Sequence, residues 1–66
     1  MNITLNGAPR WVDTAKTLAG LVETLGLDVR KVAVERNLEI VPRSIYAQTI
    51  LAEGDRIEIV HFIGGG

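Results

Sequence analysis

Cysteine is absent from this chain, so it has no disulfide staple, no thiolate nucleophile and no sulfur ligand for a metal. Histidine occurs once, at position 61, and one imidazole does not make a metal centre. Charge of one sign is also lacking: seven basic against eight acidic residues leave a formal charge of −1, with no Lys or Arg cluster to line a phosphate backbone. Nucleic acid is therefore not an expected partner. No apolar run approaches the roughly 18 residues of a membrane span, and the start, MNITLNGAPRW, lacks a basic stretch followed by an apolar one. The expectation is a soluble, cytoplasmic protein with no membrane partner.

What remains is small but able to fold. Sixty-six residues make one domain, and 47% hydrophobic content with scattered charge argues against disorder. A domain this short buries only about 60% of the surface its unfolded chain exposes, so its core is small.

Ile3-Thr4-Leu5-Asn6 alternates apolar and polar residues, and Asn6-Gly7 offers the positive-φ pair that a tight hairpin prefers. Arg10 to Asp13 then reads as a second, antiparallel strand, with Pro9 at its start where no ladder bond is needed. Thr17 is a helix cap, and Leu18, Leu21, Val22 and Leu25 form one apolar face of a helix about 15 Å long that ends at Gly26. Gly20 costs this helix roughly 1 kcal/mol unless close packing needs the missing side chain.

Val32 to Arg36 and Glu39 to Val41 read as two further strands around Asn37-Leu38, where Leu38 is an awkward turn residue. Pro42 ends or edges the fourth strand, Ser44 to Gln48 reads as a single helical turn, and Gly54-Asp55 as a tight turn. Ile57 to Ile63 is a long final strand. The implied architecture is α+β: a small mixed sheet of four to five strands with one helix on one face. If Ile57 and Ile59 point at the helix, alternation sends Glu58, Val60 and Phe62 to an open face that nothing in the chain covers, and turns His61 back toward the helix side as a structural or rim residue. Trp11 sits beside Val12, which competes for the inward slot, so Trp11 is assigned to the open face with Phe62. Trp11, Val60, Phe62 and Ile63 are the expected partner interface.

Residues 1–63 are taken as the folded domain and Gly64, Gly65 and Gly66 as a flexible tail. A terminal glycine run is often only a frayed end or a cloning scar. These glycines, however, abut a strand without a polar spacer and end the chain. With no Cβ they pass where no side chain fits, and they reach about 10 Å beyond Ile63, enough to put the Gly66 carboxylate inside another protein. That carboxylate is ionised at neutral pH and needs activation before any acyl chemistry. No nucleophile, base and carboxylate stand at catalytic spacing elsewhere, so the chain is not expected to be an enzyme.

Hairpin, helix, strands and a terminal Gly-Gly together resemble the ubiquitin-like β-grasp fold. Within it the chain is similar to the ThiS family of sulfur carriers in thiamine biosynthesis, on Val32-Ala33-Val34, Glu39-Ile40-Val41-Pro42-Arg43-Ser44, Gly54-Asp55-Arg56-Ile57-Glu58-Ile59-Val60 and Gly65-Gly66. The resemblance implies that an E1-like, ThiF-type adenylyltransferase activates Gly66 with ATP. It further implies that persulfide sulfur from a cysteine desulfurase replaces AMP, and that a ThiG-type thiazole synthase takes sulfur from the resulting thiocarboxylate. No cofactor or metal is implied for the carrier itself. The alternatives are the small subunit of a molybdopterin synthase, with the same tail chemistry, and a non-catalytic ubiquitin-like interaction module. Two departures from the family pattern stand out: a third glycine, Gly64, and Leu38 where similar sequences often carry Gly.

Overall fold

The computed structural model describes residues 1–13 and 16–62. Strands β1 (Asn2–Leu5) and β2 (Ala8–Trp11) form the expected hairpin, helix α1 spans Leu18–Thr24, and β3 (Val32–Arg36) and β4 (Glu39–Val41) form a second hairpin. Strand β5 (Arg56–His61) closes the sheet. Short 3₁₀ segments lie at Val29–Lys31, which the sequence pattern did not signal, and at Arg43–Gln48, where one helical turn was expected. The sheet order is β2-β1-β5-β3-β4, with β5 parallel to β1 and antiparallel to β3. This is the β-grasp arrangement, with all five strands in one sheet.

Both hairpins turn on two residues with positive φ, Asn6 (50°) with Gly7 (83°) and Asn37 (53°) with Leu38 (71°). Because Leu5 pairs with Ala8 across the first turn, β2 begins two residues earlier than Arg10 and stops at Trp11. Pro9 is tolerated there because β2 is an edge strand.

In the second turn a γ-branched side chain occupies a backbone region that disfavours any Cβ by roughly 1–2 kcal/mol. Leu38 is 70% exposed, so its side chain returns little of that cost through packing. Replacing Leu38 with Gly is expected to raise stability by about 1 kcal/mol after the extra chain entropy of glycine is deducted, measurable as an upward shift in the urea midpoint at unchanged m-value.

Helix α1 is seven residues, about 10 Å, shorter than the 15 Å expected. Its Thr17 hydroxyl accepts the Gly20 N–H at 3.0 Å, and Gly26 follows with φ 77°. A Cβ on Gly20 would stand 3.3 Å from that capping oxygen, which accounts for glycine inside so short a helix. So short a helix depends on its packed face. Leu18, Leu21 and Val22 are fully buried against Ile3, Val34, Ile57 and Ile59 of the sheet, with Tyr46 and Leu51 from the segment after β4 closing the core. The opposite face of the sheet carries no covering element among the described residues. No helix there is long and apolar enough to cross a membrane.

Candidate functional site

The final strand earns its central position from its sequence. Ile57 and Ile59 sink into the core, while β1 and β3 bond it from both sides. Where β1 ends, the Asn6 side chain continues the ladder: its Oδ1 accepts the Ile59 N–H at 2.8 Å and its Nδ2 donates to the Ile59 carbonyl at 3.3 Å. Positive φ at Asn6 is thus used twice, to turn the hairpin and to aim an amide that stands in for a strand residue. On the other side the Phe62 N–H donates to the Lys31 carbonyl at 2.7 Å. The backbone is therefore held up to Phe62, the last described residue. The expected adenylation and thiocarboxylate position Gly66, the tail residues Gly64 and Gly65, and the interface residue Ile63 lie outside the described residues.

Val60 is 61% and Phe62 44% exposed, as alternation from the buried Ile57 and Ile59 requires. Pairing puts Ala33 directly opposite Val60 and Glu35 opposite Glu58 on the same open face. Trp11 is exposed and Val12 buried, as expected of that pair.

The expectation of one patch joining Trp11 and Phe62 is corrected. Trp11 pairs with Asn2, two positions before Thr4, and Thr4 aligns with Arg56, six positions before Phe62. Because β1 and β5 are parallel, these offsets add to eight residues, about 26 Å along the sheet. Trp11 therefore stands at the far end of the open face from the tail. His61 takes the rim alternative of its expectation: its parity matches Ile59, and it is exposed because it pairs with Val32 at the end of the sheet, beyond the buried part of β5. Among the described residues no side chain hydrogen-bonds to His61. Among the described residues no group of three acidic or histidine side chains could hold a metal ion.

Gly54-Asp55, legible in sequence only as a turn, is a hub. The Asp55 carboxylate is 5% exposed and accepts from the Ala52 N–H (2.8 Å), the Arg36 Nε (2.9 Å) and the Asn37 Nδ2 (3.1 Å). Asn37 in turn accepts the Arg56 N–H at 2.9 Å and donates its own N–H to the Arg56 carbonyl at 2.8 Å. The positive-φ Asn37 thus grips the start of β5 much as Asn6 grips its middle. Burial pushes the Asp55 carboxyl up, but hydrogen bonds from Ala52, Asn37 and Arg36 outweigh it and hold the group below the usual carboxylate range. The hub sets where β5 begins, and so the direction in which it delivers its C-terminal end. A signal existed in the sequence: an Asp at a turn, whose carboxylate can bond nearby backbone groups, here the Ala52 N–H three residues earlier.

Known proteins match this arrangement over the whole chain. The family model described as "ThiS family" matches residues 3–66. The sulfur carrier protein ThiS of Bacillus subtilis is 41% identical over 63 residues, covering 94% of this chain and 96% of that protein. The thiazole synthase of Paramagnetospirillum magneticum is 54% identical over 66 residues, all of this chain, and that of Magnetococcus marinus 52%. This chain spans only about one fifth of the length of those two synthases, 20% in each case. The crystal structure of a thiamine biosynthesis protein (ThiS) from Geobacter metallireducens superposes with a TM-score of 0.84 at 35% identity, each chain covered in full. Strand order, the open face beside the last strand and these matches agree, and the chain belongs to the ThiS family.

Proposed function

We propose that this protein is a sulfur carrier for thiazole formation in thiamine biosynthesis, a substrate of partner enzymes and itself not a catalyst. The supporting observation is a final strand, gripped by Asn6 and Asn37, that leads from an open face bearing Val60 and Phe62 directly into Gly64-Gly65-Gly66. An E1-like adenylyltransferase of the ThiF type joins the Gly66 carboxylate to AMP from ATP, releasing pyrophosphate. Persulfide sulfur from a cysteine desulfurase then displaces AMP, and a thiol cleaves the resulting sulfur–sulfur bond to leave the thiocarboxylate. The acceptor is a thiazole synthase of the ThiG type. Relatives of that name contain a stretch 54% and 52% identical to this entire chain, which supports thiazole synthase over a molybdopterin synthase large subunit as the partner. No resident cofactor is required, and the reaction belongs in the cytoplasm, where ATP and persulfide are supplied.

The partners read the open face. Val60, Phe62 and Ile63 form the contact beside the tail, and a partner covering the full face meets Trp11 at its far rim. Phe62→Ala and Val60→Ala are each expected to weaken binding to thiazole synthase about tenfold, because exposed apolar side chains at an interface centre contribute strongly to affinity. Neither side chain is in the core, so folding stability should stay within about 0.5 kcal/mol of the parent. Titration calorimetry and thermal melting on the same samples check both halves.

Intact mass after incubation with the cognate adenylyltransferase, ATP and a persulfide donor tests the carrier reading. Replacement of one oxygen by sulfur adds nearly the same mass as oxidation of Met1, so the change must be located in the C-terminal peptide or trapped with a thiol-selective alkylator. An unmodified carboxylate in an active enzyme mixture would return the domain to the class of binding modules.

A further inference from the structure

The open face is not uniformly apolar. Register sets Glu35 of β3 directly opposite Glu58 of β5, with Ile40 of β4 on the other side of Glu35 and the Ala33–Val60 pair next toward the tail. Side chains so opposed share a face with Cβ atoms about 4.5–5.5 Å apart, where like charges destabilise the sheet. Neither carboxylate is relieved. Among the described residues the ion pairs are Arg30 with Asp28 and Arg36 with Asp55, and no side-chain hydrogen bond reaches Glu35 or Glu58. Arg36, the neighbour of Glu35 in the chain, lies on the opposite face and is committed to Asp55. Arg56 shares the open face with Glu58 but does not pair with it. Three carboxylates hold the fold, Asp55 at a hub, Asp28 capping a 3₁₀ turn and Glu53 accepting the Asn2 N–H; of the other free ones Glu39 stands across from a cation, Arg36, and only Glu35 and Glu58 stand across from each other in the sheet register. This cross-strand carboxylate pair lies at the middle of the face that carries no covering element among the described residues.

We propose that Glu35 and Glu58 determine the specificity of this docking face, and that the thiazole synthase seated there presents an arginine or lysine between the two carboxylates. The inference rests on the docking reading of the open face given above. A guanidinium has donors enough to bond both carboxylates, and the flanking Val60, Ala33 and Ile40 exclude water from the contact, which strengthens it. The same charges act against wrong partners. Two copies stacked open face to open face would bring four carboxylates together, so the pair also opposes self-association through this surface.

The test titrates the full chain with the thiazole synthase of the same organism over a range of sodium chloride concentrations, alongside Glu35→Gln, Glu58→Gln and the double variant. The parent is expected to bind more weakly as salt rises. The double variant is expected to bind about tenfold more weakly at low salt, with a flatter salt dependence, while melting at the same or a higher temperature. Parent-like affinity in the double variant overturns the charge pairing and leaves the docking reading standing. Weaker binding with an unchanged salt slope also overturns it, because the loss is then structural. Failure of the folded parent itself to bind overturns the docking reading together with this inference.

Discussion

Deleting Gly66 is expected to abolish thiocarboxylate formation while leaving the fold intact. On the proposed carrier reading, a Cβ at the last positions would have to enter the channel through which the chain reaches a partner's adenylation site. Removing one residue also draws the carboxylate back by about 3.6 Å, more than the tolerance of a reacting geometry, where misplacement by about 1 Å costs on the order of a hundredfold. The variant should gain no C-terminal sulfur under conditions that convert the parent fully. Its melting temperature should be unchanged, because Gly66 follows the last core residue of β5, Ile59, by seven positions. Undiminished sulfur loading of the shortened chain would remove Gly66 from the mechanism.

Asp55→Ala is expected to damage the fold about as much as truncating a buried core side chain. It removes a buried carboxylate that satisfies three donors and leaves the half-buried Arg36 without its counter-ion. Breaking such a network costs about 3 kcal/mol, from a total of only about 3–10 kcal/mol for a domain of this length. The melting midpoint should fall by roughly 20 °C. The pH dependence follows from the depressed carboxyl. Asp55 titrates lower in the folded chain than in the unfolded one, so its stabilisation is present above the unfolded value of about 3.9. It is lost as pH falls through the lower, folded value. Urea titrations of parent and Asp55→Ala should therefore differ most at neutral pH and converge in strong acid. A gap that stayed constant down to the acid limit would mean that the carboxylate charge contributes nothing.

These two positions were not equally legible. The role proposed for Gly66 rests on sequence alone, because the chemistry proposed for it is local: a carboxylate, three residues without side chains and a preceding strand are visible in the order of the letters. Asp55 reads only as a turn. Its other partners, Arg36 and Asn37, lie 19 and 18 residues away, and no local pattern announces that a two-residue hairpin turn and a second turn will meet. Asn6 is the same case. Its turn propensity is plain, whereas its grip on Ile59, 53 residues on, is a consequence of β1 and β5 lying parallel. Trp11 shows the limit from the other side. Alternation against Val12 puts it on the open face, but alternation carries no information about position along a neighbouring strand, so the patch it was expected to share with Phe62 dissolves once the register is known.

Local rules therefore determined the elements of this protein. Period-two alternation named the faces of β1 and β5, the Thr17 cap and the 3.6-residue stripe named α1, and Asn-Gly and Asn-Leu named the turns, since each depends only on residues a few positions apart. The chemistry proposed for the tail rests on the same kind of local reading. Tertiary structure alone decided which side chains stand across from one another: Glu35 against Glu58, Asp55 at the meeting of two turns, Trp11 far from the tail. Register between strands distant in sequence is set by how the whole hydrophobic set, Ile3, Val34, Ile57 and Ile59 with α1, fills one core at once. That condition is global, and no short stretch of sequence contains it.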